Sequence, residues 1–118
     1  MLSLPASTRI FLCLEVADMR RGFDGLAAMA TQVIGEDPLS GHLFVFRNRR
    51  QDRVKILYWD RDGLCLWYKR LEKGKFRFPV PVTNARTRRT EVKASDLMML
   101  LDGIDLASVR RQKRYVRS

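Results

Sequence analysis

Short apolar runs separated by charged breaks fill the first two-thirds of the chain. Residues 9–15 (Arg-Ile-Phe-Leu-Cys-Leu-Glu) form a run of the length expected for a buried strand. Residues 26–34 (Leu-Ala-Ala-Met-Ala-Thr-Gln-Val-Ile) read as a helix stopped by Gly35, with Asp18 or Asp24 available as its N-terminal cap. Gly22 and Gly25 lie just ahead of it, where glycine either loosens a first turn or admits close approach of another backbone. Asp37-Pro38 and Ser40-Gly41 then mark a turn.

Three strands follow in quick succession. Residues 42–47 alternate Leu43 and Val45 against Phe44 and Phe46. Residues 53–59 set Val54, Ile56 and Tyr58 on one face and Lys55, Leu57 and Trp59 on the other. Residues 64–69 set Leu64, Leu66 and Tyr68 against Cys65, Trp67 and Lys69. Asp62-Gly63 signals a tight hairpin between the last two strands, and residues 48–52 a looser one before them. Residues 75–78 (Lys-Phe-Arg-Phe) alternate as a fourth strand that Pro79 ends. Residues 79–90 show no period and read as an exposed loop, and Ser95 is placed to cap a short helix over 96–102 closed by Gly103. The pattern predicts an α+β fold in a single domain: an antiparallel sheet of four to six strands with one early helix and one short C-terminal helix. The domain is expected over residues 1–106, with 107–118 a basic tail that is disordered in isolation.

Charge changes the picture more than size does. A chain of 118 residues with 46% hydrophobic positions is globular, but Lys and Arg outnumber Asp and Glu by 23 to 13, a net charge of +10. Such an excess repels itself and calls for an anionic partner. Cys13 and Cys65 sit inside apolar strands and read as two free thiols rather than a disulfide. No signal peptide opens the sequence and no apolar run reaches the ~20 residues of a membrane span, so a cytoplasmic location and no membrane partner are expected.

Candidate chemistry is sparse on the catalytic side. His42 is the single histidine, so neither a multi-histidine metal site nor a triad has other support, and a structural role fits it better. Asp18, Asp24, Asp60, Asp62 and Glu72 could in principle hold Mg²⁺ for phosphoryl chemistry, but caps and turns already account for the aspartates. The reading is therefore a non-enzyme with no catalytic residue, metal or cofactor. Basic residues are far better grouped: Arg47, Arg49, Arg50, Arg53 and Lys55 around one hairpin, Lys69, Arg70, Lys73, Lys75 and Arg77 around the next. Arg86, Arg88 and Arg89 follow in the loop, and Arg20 and Arg21 precede the first helix. All of these except Lys69 and Arg70 are the candidate DNA contacts. An Arg49-Arg50 ribbon tip has the width of a major-groove reader, whereas the simple role of edge-strand Lys and Arg is to discourage aggregation. The aromatics of the strands could stack on bases, but most are needed to cover two apolar sheet faces.

Five blocks of sequence bear a more specific likeness: 18–27 (Asp-Met-Arg-Arg-Gly-Phe-Asp-Gly-Leu-Ala), 37–47 (Asp-Pro-Leu-Ser-Gly-His-Leu-Phe-Val-Phe-Arg), 52–60 (Asp-Arg-Val-Lys-Ile-Leu-Tyr-Trp-Asp), 62–66 and 69–76. In order and across most of the chain, they resemble the small TnpB-type accessory protein of the insertion-sequence-sixty-six family of bacterial transposons. Leu106 departs from that pattern, where the family often has Trp after its Gly-Ile-Asp motif, here residues 103–105, and the tail from Arg110 is unusually basic. The resemblance implies a protein carried beside a separate transposase and needed for transposition, and brings no catalytic residue with it. The resulting expectation is a non-enzymatic accessory protein that binds DNA, such as element ends, through its basic hairpins and loops and assists the transposase encoded by the same element. The alternative is a protein–protein adaptor for that transposase without direct DNA contact.

Overall fold

Alternation along the strands decides the architecture, because both alternating sets of side chains are apolar. In a computed structural model that describes residues 5–79, 87–105 and 110–111, five strands form one sheet in the order β4-β3-β2-β1-β5. They are β1 (Ile10–Cys13), β2 (Leu43–Arg47), β3 (Arg53–Asp60), β4 (Gly63–Arg70) and β5 (Arg89–Val92). One face carries Ile10, Leu12, Leu43, Val45, Val54 and Ile56, packed against Leu97, Leu100 and Leu101 of helix α2 (Ala94–Leu101) and against Phe76 and Phe78. The opposite face carries Phe11, Cys13, Phe44, Phe46 and Leu57, packed against Leu26 and Met29 of helix α1 (Phe23–Met29) and Ala30 and Ile34 beyond it. Phe44 and Phe46 are fully buried, and truncating either to Ala would cost about 3–5 kcal/mol.

The α+β class, the strand number and the two helices agree with the sequence reading, but the sheet is mixed. β1 and β2 are parallel neighbours, with Ile10 opposite Leu43 and Leu12 opposite Val45. A parallel pair needs a crossover, and α1 supplies it. β5 pairs antiparallel with β1 (Phe11 opposite Glu91), a contact between residues eighty apart that no local pattern announces. Part of the expected loop over 79–90 is therefore strand, since Arg89 and Thr90 open β5. Residues 75–78 form no ladder. Their alternation is real, with Phe76 and Phe78 buried and Lys75 and Arg77 exposed, but the segment folds back as a cover held by the Phe76 N–H on the Gln51 carbonyl at 2.6 Å.

Local signals place the ends with small shifts. The last turn before Gly35 is wide, its N–H reaching the Ala30 carbonyl at 2.9 Å, and Gly35 takes a φ of +78° that terminates the helix. Neither aspartate caps α1: Gly22 holds the cap position, Asp24 lies in the first turn, and Asp18 is used in the preceding loop. Ser95 lies inside α2, whose start is closed by the Lys93 N–H donating to Asp96 Oδ2 at 3.3 Å. The β3–β4 hairpin turns one residue earlier than Asp62-Gly63 suggests. Asp60 pairs with Gly63, and the positive φ (+54°) falls on Arg61. A small second sheet joins β6 (Ile104–Asp105) to β7 (Arg110–Arg111), so pairing continues into the segment expected to be a disordered tail. Leu106 and residues 112–118 lie outside the described residues.

Cys13 and Cys65 are free thiols, one buried and the other half-buried. Burial is the main reason that the Cys13 thiol is pushed up to about 11. Alkylation of the native protein at pH 8 is expected to modify Cys65 and spare Cys13 until the chain unfolds. Equal rates at the two sites, read by mass spectrometry, would contradict the packing described.

Candidate nucleic-acid interface

Strand register gathers the basic residues at one end of the sheet. β1 and β2 run the same way, so their C-terminal ends lie together, and the N-terminal ends of β3 and β5 and the C-terminal end of β4 meet them there. Across that rim stand Arg70 and Arg53, directly opposite one another, then Arg47 next to Val54, and Arg89 opposite Cys13. Loops leaving the same end carry the rest: Arg20 and Arg21 after β1, Arg49 and Arg50 between β2 and β3, and Lys73, Lys75 and Arg77 after β4. His42, Asp60 and Asp62 stand at the opposite end. Arg86 lies outside the described residues.

Three segments are tied together at this rim. The β2–β3 turn closes on itself through Asn48, whose amide donates to Asp52 Oδ1 at 2.6 Å and whose Oδ1 accepts the Arg53 N–H at 3.0 Å. The Leu71 N–H donates to the Asp52 carbonyl at 2.7 Å, anchoring the chain after β4. The Ala17 N–H donates to the Arg47 carbonyl at 2.8 Å, anchoring the chain after β1. Arg49 and Arg50 project from the turn, exposed, with no hydrogen bond or ion pair among the described residues. Together with Ala17, Asp18, Met19 and Arg53 they line a shallow groove of about 330 Å³.

Lys55 does not belong to the exposed set. It is 7% exposed, and its ammonium donates to the carbonyls of Met19 at 2.7 Å and Arg21 at 2.9 Å, over the ring of Tyr68. The sequence carried the signal: period two puts Lys55 on the face of Leu57, where α1 packs. Its charge instead fixes the loop that presents Arg20 and Arg21. Within that loop Asp18 accepts from the Arg20 N–H at 2.8 Å and pairs with the Arg20 guanidinium at 2.6 Å. Arg20's side-chain bond, reinforced by its backbone N–H, holds the Asp18 carboxyl down at about 2. Gly25 accounts for the second glycine of this block. A Cβ there would lie 3.1 Å from Arg21 Cβ and 3.2 Å from its Cγ, so glycine lets the Arg21 stem lie across the first turn of α1.

Other candidates serve partly structural ends. Arg47 is half-buried over the Phe78 ring at 4.6 Å, with its Nε lacking a hydrogen-bond partner among the described residues, and burial lowers its pKa. Arg88 donates to Glu15 Oε1 at 2.7 Å, and Arg89 to Glu36 Oε2 at 2.8 Å and the Ile34 carbonyl at 3.0 Å, fastening β5 to the end of the crossover. Arg53 donates to the Tyr68 hydroxyl at 3.2 Å and Arg70 pairs with Glu72 at 2.9 Å. Arg70, which the sequence grouped with the basic residues but left out of the candidate DNA contacts, is thus brought to the centre of the rim by strand pairing. His42 accepts the Arg9 N–H at Nδ1, 3.0 Å away, as a strand-end fixture. Among the described residues, no three His, Cys, Asp or Glu side chains converge as metal ligands, and no helix is long and apolar enough to cross a membrane.

Replacing Lys55 by Met keeps the stem but removes the donor from two carbonyls that hold the 17–22 loop. A loss of about 2 kcal/mol in unfolding free energy is expected, with faster amide exchange in that loop. Urea denaturation and hydrogen exchange read both, and unchanged values in the variant would show that the clamp contributes nothing.

Comparison with known proteins shows the family of the chain. Residues 8–111 match the family described as IS66 Orf2 like protein. Two relatives from Sinorhizobium fredii (strain NBRC 101917 / NGR234) cover nearly the whole chain. The uncharacterized protein y4jC is 38% identical over 104 residues, 88% of this chain and 86% of the relative. The uncharacterized protein y4hO is 36% identical over 105 residues, 89% and 88% of the two chains. No solved structure matches. The chain belongs to the IS66 Orf2-like family, whose members are accessory proteins of IS66 transposition.

Proposed function

We propose that the basic rim of the sheet grips the phosphate backbone of DNA, and that through this grip the protein assists the separate transposase encoded by the same element. The Arg53–Arg70 pair carries the reading. Like charges directly opposite on neighbouring strands destabilise a sheet by roughly 0.2–1 kcal/mol; Glu72 offsets part of that cost at Arg70, and an anionic partner would remove the rest. The contacts would be the exposed Arg20, Arg21, Arg49, Arg50, Arg70, Lys73 and Arg77 and the half-buried Arg53, with Lys75, Arg88 and Arg89 flanking them and Arg47 behind. The Arg49-Arg50 tip sits on a tight ribbon whose width suits the major groove. Lys55 supports the surface from beneath.

Fluorescence anisotropy against a terminal-repeat duplex and a scrambled duplex tests the reading. With six phosphates engaged, affinity falls roughly a thousandfold between ~50 and ~200 mM salt. Replacing Arg49 and Arg50 together by Ala flattens the slope by ~2 units. Absence of binding at physiological salt, joined to a complex with the transposase that survives high salt, would overturn the proposal in favour of an adaptor held by apolar contacts.

A further inference from the structure

The two edges of the sheet are finished differently. β5 is four residues long and is fastened by the Arg9–Glu91 and Arg89–Glu36 ion pairs. β4 is eight residues long, and among the described residues nothing pairs with its outer side. An antiparallel strand exchanges bonds with its neighbour at alternate positions, so every second peptide group of β4 faces outward with its donor and acceptor unused. The sequence along it (Gly-Leu-Cys-Leu-Trp-Tyr-Lys-Arg) has no proline and no charge before Lys69. Devices that normally blunt an edge strand are missing from its first six positions.

We propose that this edge pairs with β4 of a second copy, antiparallel about a two-fold axis, to give a continuous ten-stranded sheet. Charge identifies the occupant. At one end of the strand Asp60, Arg61 and Asp62 sum to one net negative charge; at the other, Lys69, Arg70 and Glu72 sum to one net positive charge. Antiparallel self-pairing sets each end against its opposite twice. The faces fix the register. A two-fold axis normal to the sheet keeps the α1 side of both copies together, so only residues of the same parity can stand opposite. One such register puts Leu66 on the axis, sets Leu64 against Tyr68 of the other copy, and places Asp62 directly across from its Arg70. Tyr68, 47% exposed in the single chain, becomes covered.

This pairing also disperses like charge. It turns the two basic rims to opposite ends of the joined sheet, roughly 25–30 Å apart along the strands, so that one dimer addresses two DNA segments. That consequence rests on the proposed DNA grip; the pairing itself does not. An interface of two strands buries less than a standard one and makes a concentration-dependent dimer.

Sedimentation equilibrium without DNA, over ~10–200 µM, should give a mass rising toward twice the 13.8 kDa of the chain. Asp62→Arg raises net charge and Arg70→Asp lowers it, yet each is expected to weaken the dimer about tenfold, and the double exchange to restore it. Leu66→Cys in a Cys65→Ser background should cross-link as a dimer on mild oxidation, because facing Cα atoms on paired strands lie within disulfide reach, whereas Leu64→Cys should not. A monomer throughout the range, single reversals that follow net charge alone, or equal cross-linking at both positions would overturn the pairing. Energy transfer between two labelled duplexes, compared with the Asp62→Arg protein that still binds one, then tests the bridge. A dimer that holds no duplex would refute the DNA grip and leave the pairing standing.

Discussion

The parallel contact between β1 and β2 is the constraint from which the rest of the molecule follows. Both strands are buried on both faces, so neither face can be left to water. Parallel strands cannot be joined by a tight turn, and the connection has to climb over one face, which α1 and the wide turn to Gly35 accomplish. The other face then needs its own cover, and the chain after β4 provides it with Phe76, Phe78 and α2. Once these covers are laid, the links after β1, β2 and β4 all leave from one rim. That is where the arginines lie.

Concentrating charge in this way stores repulsion, and the structure handles it unevenly. Arg20, Arg88 and Arg89 are matched by Asp18, Glu15 and Glu36, and Arg70 by Glu72. The exposed pairs among them contribute little to stability, and their effect is chiefly to orient the guanidiniums, whereas Arg89–Glu36 is half-buried. Arg49 and Arg50 are left projecting. The buried ammonium of Lys55 is satisfied by carbonyls instead of a carboxylate, so it holds a loop without neutralising the rim. A surface arranged for stability alone would have spread these charges, because self-repulsion of a chain at +10 is least when they are far apart.

Much of this was legible in the sequence, for identifiable reasons. The alternations in β2, β3 and β4 gave the strands and their faces, since period two is a local property that survives any tertiary arrangement. Gly35 marked the end of the crossover because only glycine adopts its φ cheaply. What escaped depended on partners distant in sequence. β5 has four residues and its register comes entirely from β1; β1 and β2 revealed their parallel relation only through the crossover between them. Residues 75–78 displayed a strand's alternation because they too lie on an apolar layer, as a cover rather than as part of the ladder. At the rim, grouping by sequence found nearly every arginine but could not tell projecting Arg49 from clamped Arg89, nor see that Lys55 points inward to the loop carbonyls.

The rim and the open edge are linked by the same topology. β4 is an edge because β3 takes its other side and the chain then leaves to cover the α2 face; the departure happens at the basic rim, which is why Lys69 and Arg70 close the strand there. The tight turn at its start carries Asp60 and Asp62 for a separate reason, since short polar residues suit a turn of this kind. A strand with opposite charge at its two ends is self-complementary only when reversed against itself. The order of strands that gathers the arginines therefore also dictates that two copies joined along β4 would hold their basic rims apart, facing away from each other.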